Sequence, residues 1–155
     1  MLIAGPLRLP VALGRSGIAA NKREGDGATP RGRFRLIRLW WRTDRMPRPR
    51  TSLPLRAIRT DDAWSEDPND RHYNRPVRRK AGEPGDRLTR QDQLYDLFIE
   101  IAHNTRPRVA GRGSAVFIHI AREGFRPTAG CVALDAKTLK HLVARLGPRT
   151  EIEIR

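Results

Sequence analysis

One cysteine, Cys131, occurs in 155 residues. It can form neither an internal disulfide nor a multi-cysteine metal site, so burial of apolar surface has to hold this fold together. A chain of this length supports one domain, residues 1–155, that buries about two-thirds of its unfolded surface without staples. With 38% hydrophobic and 31% charged residues, 12 Pro and 13 Gly, the composition is globular and rich in loops. No stretch reaches the roughly 20 apolar residues of a membrane span. Met1 to Arg8 lacks a basic leader, a long apolar region and a small-residue cleavage site, so the chain carries no readable export signal.

The periodicity is mostly two. Leu7–Leu9 and Val11–Leu13 read as short strands around Pro10, and 14–17 as a turn. Arg33 to Leu39 alternates polar and apolar residues up to Trp40-Trp41 and predicts a half-buried strand entered from a turn at 29–32. Three prolines in 45–54 mark a connection before a short strand near 55–59. Residues 61–86 lose all pattern and predict a long loop, ordered because it carries Trp64 and Tyr73. A short helical turn is expected at Thr89 to Gln93, then a strand over Phe98 to Ala102 and its partner over Ala115 to Ile120. Asp135 to Pro148 is the clearest helix: Asp135 caps it, Leu139, Leu142, Val143 and Leu146 form one face, and Gly147-Pro148 ends it. Glu151 to Ile154 alternates as a last strand.

Cys131 lies in Pro127-Thr128-Ala129-Gly130-Cys131-Val132-Ala133-Leu134, twelve positions after His119. A thiol that attacks a carbonyl needs a base, which His119 can be, and backbone N–H donors for the oxyanion, which the amides of Gly130 and Cys131 can supply. Gly130, lacking a Cβ, permits the turn that returns the thiol to the histidine strand. The other reading is structural: single buried cysteines are common small hydrophobes, and a histidine between isoleucines can be a satisfied core residue. Spacing alone leaves both open.

The stretch His119…Thr128-x-Gly130-Cys131-Val132-x-Leu134, with Thr29-Pro30-Arg31-Gly32-Arg33-Phe34 upstream, resembles the catalytic domain of the L,D-transpeptidase (YkuD-like) family. Ala129 stands where that family usually has a second histidine, Ala133 where it has Asn or Arg, and the His-to-Cys gap is short, as in a divergent branch. The resemblance implies a mainly β fold, a β-sandwich or partly closed barrel with one main helix after the nucleophile. It also implies a cysteine-dependent acyl transfer that cross-links peptidoglycan stem peptides through a thioester on Cys131, with His119 as base. Thr128 and Arg126 are near enough in sequence to touch the peptide. His103, at a strand end, and Tyr73, Asn74 and Arg75, in the loop, are further candidate substrate contacts. No cofactor is implied, and Cys131 with scattered histidines makes no zinc set. The workplace implied is the periplasm or cell envelope.

The net charge of +14 favours a polyanionic partner, and of the 31 cations only Lys22, Lys80, Lys137 and Lys140 are lysines. Peptidoglycan with its stem carboxylates is one such partner, and arginine suits carboxylates. Nucleic acid is not expected. The alternatives left standing are L,D-carboxypeptidase activity, when water replaces the acceptor amine, and a basic nucleic-acid- or wall-binding module without catalysis.

Overall fold

The computed structural model describes residues 1–155. In chain order it contains β1 (Leu2–Ala4), β2 (Leu7–Leu9), β3 (Ile18–Ala19), β4 (Thr29–Pro30), β5 (Gly32–Trp41), β6 (Leu55–Ala57), β7 (Asp62–Trp64), β8 (Pro76–Arg78), β9 (Asp86–Arg87), β10 (Leu97–Ile101), β11 (Phe117–Ile120), β12 (Val132–Leu134), α1 (Ala136–Val143) and β13 (Glu151–Ile154). The fold is mainly β, with one α-helix directly after Cys131. None of its sheets closes into a barrel, so of the two expected architectures the sandwich is the one consistent with it.

The central sheet runs β12-β11-β10-β5-β13, with β6 also paired to β5. Its strands are antiparallel except that β11 pairs with β12, and β5 with β6, in parallel. Alternation then sorts side chains onto two faces. Leu97, Ile99, Ile101, Ile118, Ile120, Val132 and Leu134 pack with Leu139 and Val143 of α1 in an aliphatic core. Phe98, Phe117 and Cys131 point the other way and pack with Trp40, Trp64, Leu88 and Tyr95 in an aromatic core. Leu36 and Leu39 both join the aliphatic core although three positions apart. A bulge permits this: Glu100 stands opposite Arg38 and Ile101 opposite Leu36, so Ile37 is an extra residue that flips the parity of β5.

Several expectations needed correction. Val11–Leu13 forms no strand; Ala12 alone makes a two-bond bridge to Ala133, since Pro10 on one side cannot donate. Residues 29–32 are not a turn: β4 pairs in parallel with β3, and β5 starts at Gly32. The region 61–86 is not one loop but carries a three-stranded sheet, β8-β7-β9, whose strands of two or three residues are too short to show a period. The helical turn at 89–93 is absent. Its carbonyls are satisfied by arginines instead: Arg45 donates to the Gln91 and Asp92 carbonyls (3.0 and 2.9 Å) and Arg42 to that of Arg90 (3.0 Å). Helix α1 does begin at an Asp135 cap, whose Oδ1 accepts from the Thr138 amide (2.9 Å). It stops at Val143, short of Gly147, where i→i−3 turns at Arg145 and Leu146 replace α-helical bonding.

Candidate active site

The β11–β12 pairing places the thiol. Ile118 stands opposite Val132 and His119 opposite Ala133, so Cys131, one residue before β12, falls level with Phe117 on the aromatic face. Its Sγ accepts from the Phe117 amide (3.3 Å) and donates to the Ala115 carbonyl (3.2 Å). Cys131 is 8% exposed. Burial pushes its thiol up to about 12, against the pull of the Phe117 amide, so the resting sulfur is protonated.

His119 projects from β11 onto the same face and is 6% exposed. Its Nδ1 lies 2.7 Å from the Ile120 carbonyl oxygen, which can only accept. Nδ1 therefore carries the hydrogen and Nε2 keeps its lone pair. Burial holds this imidazole down at about 4, outweighing the Ile120 carbonyl, so it is neutral at pH 7. Tyr95 packs edge-on against it, 5.7 Å between centroids, and donates its phenol proton to Asp86 Oδ2 (2.7 Å). No hydrogen bond joins Sγ to the imidazole; the pair at rest is a neutral thiol and a neutral base, so proton transfer has to accompany attack.

Both groups line one cavity of about 630 Å³. Gly130, Thr128 and Arg126 line it too, whereas the remaining four expected contacts do not. Asn74 is a buried hub: its Oδ1 accepts from Trp64 Nε1 (3.0 Å) and the Ala115 amide (3.2 Å), and its Nδ2 donates to the carbonyls of His103 (3.1 Å) and Asn104 (2.8 Å). Tyr73 is buried and donates to Glu24, a cavity residue, so it acts one layer behind the wall. The ring of His103 sits 3.0 Å from the Arg112 carbonyl, and Arg75 is exposed, its carbonyl tied to the Ser65 amide (3.0 Å). The segment expected to flank substrate thus frames the site from behind, because its polar groups are consumed in holding Ala115 and the 103–104 turn.

Of the two expected oxyanion donors, one is engaged. The Gly130 amide donates to Thr128 Oγ1 (3.1 Å), which donates in turn to the Cys131 carbonyl (2.7 Å). The Cys131 amide makes no hydrogen bond. Gly130 has φ +144°, and a Cβ there would lie 2.8 Å from the Ala28 carbonyl oxygen, so no other residue fits this turn.

Sequence reasoning missed the charged wall. Beside the expected Arg126, Arg15, Lys22, Arg90 and Arg122 face Glu24, Glu66 and Asp86 around the cavity. Burial raises the Asp86 carboxyl, opposed by the Tyr95 hydrogen bond and by Arg90. Lys22 carried a faint signal, as one of four lysines in an arginine-rich chain; Asp86 and Tyr95 carried none, because β9 has only two residues and Tyr95 precedes its strand. No three His, Cys, Asp or Glu side chains converge as a metal ligand set. No helix is long and apolar enough to cross a membrane.

A family model described as the L,D-transpeptidase catalytic domain, YkuD, matches residues 5–154. No curated protein and no solved structure shows a significant match. The departures fall on both sides of the thiol: Ala129 is exposed on the cavity wall, and Ala133 is buried opposite His119, its backbone paired with Ala12. With nearly the whole length matched, and a histidine and a cysteine brought to one cavity by adjacent strands, this chain belongs to the L,D-transpeptidase catalytic domain (YkuD) family.

Proposed function

We propose that the chain is a single catalytic domain working in the cell envelope as a cysteine-dependent L,D-transpeptidase on peptidoglycan stem peptides. The observation that carries this is the shared cavity: one thiol, and one imidazole whose tautomer leaves Nε2 free, on the same wall. Sγ of Cys131 attacks a stem-peptide carbonyl while its proton passes to Nε2 of His119. His119 returns that proton to the departing amine, the C–N bond breaks, the C-terminal residue leaves and a thioester remains. An amine from a neighbouring stem then attacks the thioester and loses its proton to His119; the C–S bond breaks, the Cys131 sulfur takes that proton back and the cross-link is left, while water in place of the amine gives L,D-carboxypeptidase activity. The free Cys131 amide supports one oxyanion contact. Thr128 and Arg126 on the wall support contact with the peptide, and the mixed charge suits a substrate bearing both carboxylates and an ammonium.

One observation favours a second reading. The sulfur rests protonated and hydrogen-bonded to the Ala115 carbonyl, as a merely structural cysteine in a non-catalytic wall-binding domain would be. Incubation with a carbapenem followed by intact mass separates the two. A single adduct that is lost in Cys131→Ala, and greatly slowed in His119→Ala, supports the transpeptidase; no selective adduct supports the binding domain. Muropeptide mass analysis after incubation with purified peptidoglycan then tells cross-linking from trimming.

A further inference from the structure

Lys22 is the one charged group buried in the cavity wall that the mechanism above does not use. It is 6% exposed and lines the cavity with Cys131. Its stem threads past two glycines: a Cβ on Gly113 would lie 2.9 Å from Lys22 Cγ, and one on Gly130 would lie 3.5 Å from Cε. The ammonium donates to the Arg23 carbonyl (2.8 Å) and to Asp26 Oδ1 (2.5 Å). An ammonium has three N–H donors, so one has no partner in the chain. Burying a cation is costly, and leaving a buried donor unmade costs more. The cost is understandable if negative charge appears beside it during turnover.

Negative charge does appear there. When Cys131 gives its proton to His119, it forms on the sulfur and then on the acyl oxygen, next to Gly130. Five cations line that cavity, Arg15, Lys22, Arg90, Arg122 and Arg126, with Asp86, Glu66, Glu24, Tyr95 and the neutral His119. Arg90 is engaged with Asp92 and Asp86, whereas Lys22 is the cation that opposes Asp86, Glu66 and burial at the thiol itself. Around Lys22 itself stand Asp26 and His103. We infer that Lys22 is a positioning residue for the reaction at Cys131, its buried ammonium holding the negative charge that develops on the sulfur and the acyl oxygen. This deepens the reading of Cys131 as the nucleophile.

The competing role is purely structural. Asp26 also accepts from the Ala28 amide (2.9 Å) and the Arg23 amide (2.7 Å), so the Lys22–Asp26 pair clamps the 22–28 loop against Gly130. Charge and clamp predict different signs. The experiment is the rate of Cys131 alkylation by iodoacetamide from pH 6 to 10 in the full chain. If Lys22 acts by charge, Lys22→Met lowers the rate at every pH by about tenfold, one unit of thiol pKa being tenfold in thiolate. Asp26→Asn, which leaves the ammonium uncompensated, raises it. A clamp moves both variants in the same direction, and that result, or an unchanged rate in Lys22→Met, overturns the inference. Should Lys22→Met fail to fold, Lys22→Gln, which keeps an N–H donor for Asp26 but no charge, takes its place: a rate about tenfold lower supports the inference and an unchanged or faster rate overturns it. Alkylation requires no peptidoglycan. Opposite signs without carbapenem adducts would sink the transpeptidase and spare the role of Lys22; adducts with both rates moving the same way would do the reverse.

Discussion

The two faces of the central sheet are built from the same strands and do opposite things. On one face Ile99, Ile118 and Val132 belong to a core whose buried members are all aliphatic and which α1 covers. Such residues each contribute about 1.5–3 kcal/mol on burial and ask for no partner. The other face alternates with them residue by residue, yet carries Glu100, His119 and Cys131, all buried. Here each polar group needs an answer: Glu100 accepts from Trp40 Nε1 (3.0 Å) and pairs with Arg38 (3.0 Å), and His119 donates to the Ile120 carbonyl. A β-sheet thus separates stability from reactivity by parity alone, and a one-residue slip of β11 would put Ile118 in the cavity and His119 in the core.

That separation breaks most sharply if truncations on the two faces have the same consequence. His119→Ala should cut acylation of Cys131 by a carbapenem about 10²–10⁴-fold, the usual worth of a positioned base, while the protein stays folded. Ile99→Ala, on the opposite face one strand away, should cost about 2–5 kcal/mol in urea unfolding and leave the acylation rate of the folded fraction within a few-fold. A His119→Ala variant that acylates normally removes the base from the mechanism. An Ile99→Ala variant that is as stable as the parent shows that the aliphatic face is not what holds the sheet.

The reactive face should also betray itself in pH. The folded pKa of His119 is held down at about 4 from an ordinary 6.5. Between those values the unfolded chain binds a proton that the folded chain refuses, so stability is lost as pH falls from 6.5 towards 4. That lowering corresponds to about 3 kcal/mol. His103, also lowered by burial, adds to the same window, so the measurement is a difference. His119→Phe should flatten the dependence of the urea midpoint between pH 7 and 4.5 relative to the parent. An identical slope in the variant would mean that the imidazole is not desolvated. By the same sign, carbapenem acylation of Cys131, in which the neutral thiol attacks as its proton passes to neutral His119, should show no acid limb near 6.5 and should fall only as pH approaches 4.

How legible this was depends on range. The strands of the aliphatic face were readable because their period is long enough to count: β5, β10, β11 and β13 all fall within or near the expected segments. The apolar run and the Gly130 turn, both local signals, suggested that His119 and Cys131 come together, but spacing left a structural reading open and only the family resemblance favoured nucleophile and base. What could not be read was set by long-range hydrogen bonds. Asn74 looks like a free loop amide, and only the fold brings Trp64, Ala115, His103 and Asn104 around it. The Arg42 and Arg45 bonds that hold 90–92 out of a helix span more than forty residues. The bulge at Ile37 leaves no mark in the sequence beyond the three-residue spacing of Leu36 and Leu39, which reads as noise in an alternating strand.

The smallest expected effect lies where the two faces share an element. Val132–Leu134 directly follows the thiol-bearing Cys131 and runs straight into α1 through Asp135, whose carboxylate is held below the ordinary range by the bonds it accepts from Thr138. Asp135→Ala should cost about 1 kcal/mol, the usual worth of an N-cap, read as a small drop in the urea midpoint. The helix packs only on the aliphatic core, through Leu139 and Val143, so the loss should stay on that side. The carbapenem acylation rate should then be unchanged. If it fell several-fold, the strain would be passing along β12 to Cys131, and the two faces would be coupled through the single residue that joins strand to helix.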